Sequence, residues 1–405
     1  METVVREEQI EKISYWNIVW EQFSKGFLPM LGLFTVIALL LLAIYAPMIS
    51  LDKPFYYISG DRVSFPWFAA LFDRNFFENG VDIFFNIQMF LMPPFVVLIY
   101  FLNRFLKWRF FDFFPKLLLF YGLISYGLFL MIDFNPMKLP FQNWETILQV
   151  DRDKGESVSI AWPLKQNAFR TPNTMGRHPA QPSMKYWMGT DKEGRDVFSR
   201  MIFGTRISLT IGLVAVGIYI FIGVILGSCA GYFGGFIDLL ISRLIEIMLC
   251  FPTFFLILTL SALIQERSIF HVMLIIGLTR WPEVARLVRA EFLKLKNMDY
   301  VQAAIALGFS KPRIIFGHIL PNALGPVIVT AVFGIASSIL IESSLSFLGL
   351  GDVTAPSWGE ILSQGRQEFK LWLILAPGFA IFLVVSVFNL VGEGIQDAMD
   401  PKQRR

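Results

Sequence analysis

Residue types that most catalytic and metal sites require are scarce in this sequence. Its 405 residues include two cysteines and three histidines, and Cys229 and Cys250 each stand alone inside an apolar stretch. Isolated thiols of this kind give no metal-ligand spacing and behave as small apolar groups. The sequence also lacks the GxxxxGK[ST] phosphate loop, the HExxH zinc pair and the GxSxG serine turn. We therefore expect no catalytic residue, no metal site and no cofactor bound by this chain.

Charge is scarce as well. Asp, Glu, Lys and Arg make up 17% of the residues, with a net charge of +3, whereas hydrophobic residues make up 55%. So small a net charge predicts no nucleic-acid partner. The polar residues are too few to cover the apolar surface of a soluble globule of this length. The composition therefore predicts a protein that is solvated by membrane lipid.

Eight apolar stretches are candidates for crossing the roughly 30 Å of hydrocarbon in a bilayer, which takes about 20 residues. They are Leu28–Ile49, Ile83–Leu102, Leu117–Ile132, Ile207–Ala230, Ile237–Leu263, Phe270–Trp281, Leu324–Ile341 and Leu371–Val391. The third and sixth are short, and Pro282 predicts the end of the sixth. No small-residue cleavage motif follows the polar N-terminus, so we expect the first stretch to be a retained anchor.

Lysines and arginines in short loops predict which side of each loop faces the cytoplasm. Three segments are basic, namely 103–116, 282–318 and the tail 395–405. Eight spans would put all three segments and both termini on the cytoplasmic side. The proline-rich stretch 133–206 would then lie outside, with irregular structure and little helix. It is either a lid or docking surface for an external partner, or an insertion with no role in transport.

The polar segment between the sixth and seventh stretches has the residues of a compact helical elbow. Ala303 and Ala304 have minimal side chains, so another surface can approach the helix that carries them. Gly308 permits a turn that other residues resist, and Pro312 suits the first turn of a second short helix. Leu320 and Pro321 are expected to end that helix. Two short helices at an angle are predicted.

This segment, Asp299–Gly308 followed by Arg313–Asn322, resembles the "EAA" cytoplasmic loop of binding-protein-dependent ABC importers. Further motifs resemble the C-type permeases of dipeptide and oligopeptide importers. They are Met188–Arg200, Gly204–Leu209, Gly231–Gly235, Ser344–Gly351, Pro356–Gly359, Gly365–Arg366, Phe388–Gly394 and Asp397–Pro401. The resemblance covers Met188–Pro401, and the motifs occur in the family's order.

The resemblance implies an all-α polytopic membrane protein with the type I ABC importer transmembrane fold, two extra N-terminal spans and an irregular external region. The expected organisation is a cytoplasmic N-terminus (1–27), the first span plus two inserted spans (28–132), the external region (133–206), the core permease domain (207–394) with its coupling loop (282–321), and a cytoplasmic tail (395–405). An even number of inserted spans keeps the coupling loop in the cytoplasm.

The resemblance also implies partners. These are a B-type permease subunit forming a heterodimer, two ABC ATPase subunits that carry ATP and Mg, and an extracytoplasmic peptide-binding protein, all at a bacterial inner membrane. The residues implied in ATPase coupling are Gln302, Ala303, Ala304, Gly308, Leu320 and Pro321. Two departures from the family pattern are Gln302, where glutamate is usual, and His318, where isoleucine is often found. Gln302 keeps the reach for hydrogen bonding but cannot form a salt bridge.

A few charged residues near the core spans have two readings each. Asp191, Arg195 and Asp196 form a polar cluster that either fixes the external loop or docks the binding protein. Glu342 is a candidate gate residue or a contact for a peptide amine. Arg243 and a glutamate one turn later, Glu246, either pair with each other on one helix face or contact the substrate.

Other functions stay open at this point. The same importer class carries microcin-type peptides, nickel or glycosides. An ion-coupled secondary transporter would need acidic residues at the membrane midplane and paired broken helices, and such acids are scarce here. A membrane sensor that has lost contact with an ATPase is the remaining alternative. Neighbouring genes for two ATPases, a B-type permease and a binding protein would favour import.

Overall fold

A computed structural model describes residues 15–60, 62–106, 110–134, 136–140, 144–154, 157–167, 169–172, 178–265, 267–352 and 354–400. Several basic residues used to predict orientation lie outside the described residues, namely Lys107, Arg109, Lys402, Arg404 and Arg405.

Helices make up most of the described chain. In chain order they are α1 (Tyr15–Lys25), α2 (Phe27–Ile44), α3 (Ala46–Ile49), α4 (Pro66–Ala70), α5 (Gly80–Leu106), α6 (Phe110–Phe134), α7 (Trp144–Asp153), α8 (Val197–Phe233), α9 (Gly235–Leu249), α10 (Thr253–Leu263), α11 (Ile269–Lys296), α12 (Asp299–Ala306), α13 (Lys311–Ile314), α14 (Leu320–Phe347), α15 (Trp358–Glu368) and α16 (Leu371–Met399). A π-helical turn, Ile315–Ile319, joins α13 to α14.

Six helical segments of the described chain are long and apolar enough to cross a membrane. They are Phe27–Ile44, Gly80–Arg104, Phe114–Phe134, Val197–Phe233, Lys311–Phe347 and Leu371–Met399. Each overlaps one of the predicted stretches. The predicted span Ile237–Leu263 is instead two helices, α9 and α10, bent by 81° at a short break. Pro252 sits in that break in an extended conformation, where a proline cannot continue the preceding helix.

The predicted sixth span, Phe270–Trp281, is the first part of the 28-residue helix α11, which passes the expected stop at Pro282 and ends at Lys296. α11 is long enough to cross a membrane, but its second half is too strongly charged for the whole helix to be a candidate span. Val284 and Val288, beyond the proline, are buried. The free energy gained by packing this face outweighs the loss of one helical hydrogen bond, because Pro282 has no N–H to donate.

The chain divides into two compact units, and one comprises residues 19–36, 208–354 and 378–405. Inside it, Gly223, Gly227 and Gly231 form a row along α8. A Cβ atom on Gly227 would lie 2.5 Å from the Ala285 carbonyl oxygen, and one on Gly231 would lie 2.5 Å from the Cβ of Phe292. Small residues one turn apart let helix backbones approach closely in membranes. This row therefore sets the contact of α8 with α11.

The other unit comprises residues 1–18, 37–207 and 355–377. It contains three strands, β1 (Tyr56–Ser59), β2 (Arg62–Ser64) and β3 (Val158–Ala161), arranged in the antiparallel order β2-β1-β3. The expectation of irregular structure in 133–206 was thus incomplete, because this stretch contributes α7 and β3. The strands are three or four residues long, too short for alternation to be recognised in the sequence.

A buried arginine ties the inserted helix α5 to the rest of this unit. Arg206 is fully buried; its Nε donates to the Ala43 carbonyl (2.7 Å) and its Nη2 donates to Asn86 Oδ1 (2.9 Å). Its Nη1 lies 3.2 Å from the Asp82 carboxylate, which is also buried. One guanidinium therefore links α8, the end of α2 and the start of α5.

Candidate functional site

The predicted coupling loop, 282–321, contains the end of α11, all of α12 and α13, and the π turn. α12 begins at Asp299, whose carboxylate lies in the first helical turn, where negative charge complements the helix dipole. Val301 and Ala304 face inward and are buried, whereas Gln302 and Ala303 are exposed. The two alanines of the motif therefore have different environments: Ala304 packs inward, and Ala303 is available to a partner.

Gln302 holds the junction between α11 and α12. Its side-chain Nε2 donates a hydrogen bond to the Lys296 carbonyl at 2.9 Å. That carbonyl belongs to the last residue of α11, and the final carbonyls of a helix have no partner within the helix. A glutamate carboxylate only accepts hydrogen bonds, so it could not make this contact. This hydrogen bond explains why an amide, rather than a carboxylate, suits position 302.

Gly308 ends α12 with backbone geometry that suits glycine. Its φ is +77°, its N–H donates to the Ile305 carbonyl (3.0 Å), and the Phe309 N–H donates to the Ala304 carbonyl (3.1 Å). This pair of bonds is a Schellman motif. A Cβ atom added at Gly308 would meet no described atom within 4 Å, so the requirement for glycine comes from the backbone turn.

The second half of the loop differs from the prediction. Leu320 and Pro321 do not end a short helix; they begin α14, and the helical chain from Lys311 runs into this span through the π turn. Pro321 has no N–H to donate into the preceding turn, and a π turn, which is wider than an α turn, occupies that position. The elbow is therefore one short helix, a glycine turn and an extension of the span.

Three side chains stack beside the turn. The Arg313 guanidinium lies 4.2 Å from the centre of the Phe309 ring, a cation–π contact. The Phe309 ring centre lies 5.7 Å from that of His318. His318, which departs from the family pattern, thus contributes a ring to this stack. The stack connects the residue after Gly308 to α13 and to the π turn.

The outer surface of the loop is apolar at several positions. Leu307 is 74% exposed and Phe316 is 68% exposed. Met298, Tyr300 and Ile305 are also exposed. We call these five residues the loop patch. Exposed apolar side chains grouped in one segment mark a surface that contacts a partner.

The predicted polar cluster lies in the other unit, before α8. Asp191 is fully buried; its Oδ2 accepts from Arg195 Nε (2.7 Å) and its Oδ1 accepts from the Arg195 N–H (2.8 Å). Asp196 has a different role. Its Oδ2 accepts from the Ser199 N–H at 2.9 Å, which is the geometry of a helix N-cap for α8. Burial raises the pKa of the Asp196 carboxyl.

Two contacts that the sequence did not predict join the start of α8 to α15. Arg200, 1% exposed, pairs with the Glu360 carboxylate. The Trp358 indole Nε1 donates to the Met201 carbonyl at 2.9 Å, and a Cβ on Gly204 would lie 2.8 Å from the Trp358 ring. The signature at 188–209 and the Pro356–Gly359 motif are therefore halves of one packed arrangement. Their wide separation along the chain hides this in the sequence.

Glu342 lies inside α14 and is 3% exposed, and its Oε1 accepts from the Ser346 hydroxyl at 2.7 Å. Arg243 and Glu246 form the expected pair, at 2.5 Å, on an exposed helix face. Among the described residues, no group of three histidine, cysteine, aspartate or glutamate side chains is arranged to hold a metal ion.

Comparisons with known proteins give consistent matches. The model of a family described as binding-protein-dependent transport system inner membrane component matches residues 220–405, and that of the N-terminal TM domain of oligopeptide transport permease C matches residues 14–67. The dipeptide transport system permease protein of Alkalihalophilus pseudofirmus is 43% identical over 61% of this chain and 82% of its own length.

Two further relatives are similar at this level. The oligopeptide transport system permease protein of Haemophilus influenzae is 42% identical, over 56% of this chain and 74% of its own length. The glutathione transport system permease protein of Pectobacterium atrosepticum is 39% identical, over 55% of this chain and 74% of its own length.

Proposed function

Because this chain belongs to the family of binding-protein-dependent transport system inner membrane components, we propose that it is the permease subunit of an ATP-driven peptide importer and that its loop 282–321 transmits the work of partner ATPases. It is a multi-span helical membrane protein with the type I ABC importer fold, in which α5 and α6 are additional N-terminal spans.

The observation that carries this proposal is the loop patch. Apolar side chains such as Leu307 and Phe316 are exposed on a segment that is covalently continuous with the span α14. A force on the elbow therefore acts directly on a membrane helix. The Schellman motif at Gly308 and the Gln302 hydrogen bond fix the shape of the elbow. A segment that transmits force needs an exposed contact face and a rigid connection to the membrane helix. The loop patch supplies the contact face, and the hydrogen bonds at Gln302 and Gly308 supply the rigidity.

The partners follow from the family. A B-type permease would complete the pathway, two ABC ATPases would bind ATP and Mg and contact the loop patch, and an extracytoplasmic binding protein would deliver the cargo. The proposed orientation places both termini, and the part of the loop that follows α11, on the cytoplasmic side of a bacterial inner membrane. The chain itself would bind no cofactor. Peptides are the proposed cargo because the relatives above are named for dipeptide, oligopeptide and glutathione transport.

The test is transport by the reconstituted complex. The chain would be co-expressed with its neighbouring permease and ATPase genes, placed in proteoliposomes, and supplied with the binding protein and labelled tri-alanine. Uptake is expected with ATP and not with a non-hydrolysable ATP analogue. Uptake by this chain alone without an ATPase would overturn the proposal, as would a complex that imports no peptide under any condition.

Contact with the ATPases has its own readout. A cysteine introduced at exposed Ile305, after Cys229 and Cys250 are replaced by alanine, is expected to cross-link to an ATPase subunit. A cysteine at buried Val301 in the same helix is the matched control and is expected not to cross-link. Labelling of the Ile305 position by a membrane-impermeant reagent from the outer face of intact cells would contradict the orientation.

A further inference from the structure

Within the unit that contains α11 and α14, an arginine on one helix reaches a hydroxyl group on the other. The Arg280 guanidinium on α11 donates a hydrogen bond to the Ser337 hydroxyl on α14. Ser337 precedes the end of the spanning helix α14, Phe347, by ten residues, which at about 1.5 Å per residue is roughly 15 Å along its axis. The hydrocarbon layer is about 30 Å thick. Counted from the end of α14, Arg280 therefore lies about half the thickness of a hydrocarbon layer along the helix pair.

A count along α11 from the same end of the helix pair gives a similar distance. The Arg267 guanidinium donates to the Gly349 carbonyl, and the Ile269 N–H lies 3.3 Å from the Asp352 carboxylate. The start of α11 is therefore beside the end of α14, and the two helices run antiparallel. Arg280 is eleven residues after Ile269, or roughly 16 Å along α11. The counts along the two helices therefore place Arg280 and Ser337 at the same level of the pair.

Arg280 is held in place from several sides. Its guanidinium carbon lies 5.4 Å from the centre of the Tyr219 ring on α8, a cation–π contact. The Tyr219 hydroxyl is buried and has no hydrogen-bond partner among the described residues. A Cβ on Gly334 would collide with this hydroxyl, so glycine at that position makes room for it. These contacts form a polar site between α8, α11 and α14.

The face that carries this site does not suit lipid. The Arg280 side chain is 15% exposed, and its partner Glu283, at 3.3 Å, is 45% exposed. A carboxylate and a guanidinium that face hydrocarbon would be costly, and such groups normally face a water-filled path or a protein neighbour. Glu283 balances the charge of Arg280 but leaves its donors only partly used, since a guanidinium carries five N–H groups.

We propose that Arg280 binds the C-terminal carboxylate of a peptide in transit, an inference that rests on the proposed function and specifies its substrate chemistry. Guanidinium and carboxylate match in shape and can form two parallel hydrogen bonds. Glu283 serves as the resting counter-charge that the carboxylate displaces. Tyr219 and Ser337 are positioning residues that fix the orientation of the guanidinium.

The experiment compares tri-alanine with tri-alanine amide, which lacks the terminal charge. Uptake would be measured in proteoliposomes with the binding protein saturated by either peptide, so that differences in capture do not contribute. The wild-type complex is expected to transport the free acid at least roughly tenfold faster, the size of a charge-assisted hydrogen bond lost. Arg280→Gln should remove this preference while ATP hydrolysis and assembly persist.

Two further variants separate recognition from a structural role. Arg280→Lys keeps the charge but not the planar fork, and it should retain part of the preference. Glu283→Gln frees Arg280 from its resting partner and should increase the preference, which loss of structure would not do. Arg286→Gln, on an exposed position of the same helix, is the matched control and should leave the ratio unchanged.

The outcomes are distinct for the two proposals. Absence of ATP-driven uptake of either peptide by the wild-type complex overturns the proposed function. Uptake of both peptides at equal rates overturns only the assignment of Arg280. An unchanged ratio in Arg280→Gln, or in both Arg280→Lys and Glu283→Gln if Arg280→Gln does not assemble, also overturns it.

Discussion

The side-chain amide of Gln302 donates to the backbone carbonyl of Lys296 at 2.9 Å, which joins the first helix of the coupling loop to the end of α11. The EAA motif that this loop resembles has a glutamate at this position, so the sequence alone predicts that a salt bridge to an ATPase is lost. The structure assigns the amide a role within the chain instead. Two substitutions at this position can separate the two interpretations.

Gln302→Glu should loosen the start of α12, because a carboxylate cannot donate to the Lys296 carbonyl. The expected loss is about 1 kcal/mol of local stability, seen as faster hydrogen exchange at residues 297–306. Gln302→Met, similar in length but without a donor or a charge, should show the same loss. If the glutamate variant kept wild-type protection, the hydrogen bond would have no structural importance.

Gly308→Pro should abolish ATP-driven uptake. Proline cannot adopt the φ of +77° found here, and it would also remove the N–H that donates to the Ile305 carbonyl. Gly308→Ala, which keeps the N–H, should cost about 1–2 kcal/mol because of the left-handed backbone. Membrane insertion and co-purification with the partner permease should persist in both variants.

The matched control for Gly308 is Gly317→Ala, since Gly317 also has open space around it but no positive φ. This change should leave uptake close to the wild-type rate. Normal transport by Gly308→Pro would show that the turn is not needed for coupling.

Gly227→Ala should destabilise the unit formed around α8 and α11. The added methyl group would lie 2.5 Å from the Ala285 carbonyl oxygen, and overpacking of this kind costs about 1–3 kcal/mol. A methyl group from Gly217→Ala in the same helix would meet no neighbour within 4 Å in the described chain, so this change should be neutral or slightly stabilising. Thermal unfolding in detergent measures both changes, and equal melting temperatures would contradict the packing role of the glycine row.

Asp82→Ala should be more damaging than a change at an exposed pair. It leaves Arg206, fully buried, without its counter-charge, and breaking a buried pair in this way costs about 3–5 kcal/mol. The expected result is a large fall in folded yield and melting temperature. Arg243→Gln, in the exposed pair with Glu246, is the control and should change stability by less than about 1 kcal/mol.

The Asp82 experiment also tests how far the inserted helix α5 contributes to the stability of its unit. A strong effect would show that α5 is integrated with the core signature at Arg206. If Asp82→Ala folded as well as the wild-type protein, the inserted helices would be dispensable for the stability of this unit.

The parts of the molecule that the sequence predicted well have local causes. Gly308 marks a turn because of its own backbone freedom, and the long apolar stretches mark spans because hydrocarbon thickness sets their length. The errors came from local rules overridden by packing. Pro282 and Pro321 were expected to end helices, but a buried face in one case and a π turn in the other let the helical path continue.

The sequence by itself determined the class of this protein, its order of spans and its likeness to a permease, because composition and ordered motifs need no knowledge of distant contacts. Only the tertiary structure decided which residues separated along the chain meet. Arg206 reaches Asp82, Trp358 fills the space above Gly204, and Arg280 joins Ser337. Such pairs depend on how helices approach one another, and that geometry is set by the packing of whole faces rather than by any local pattern.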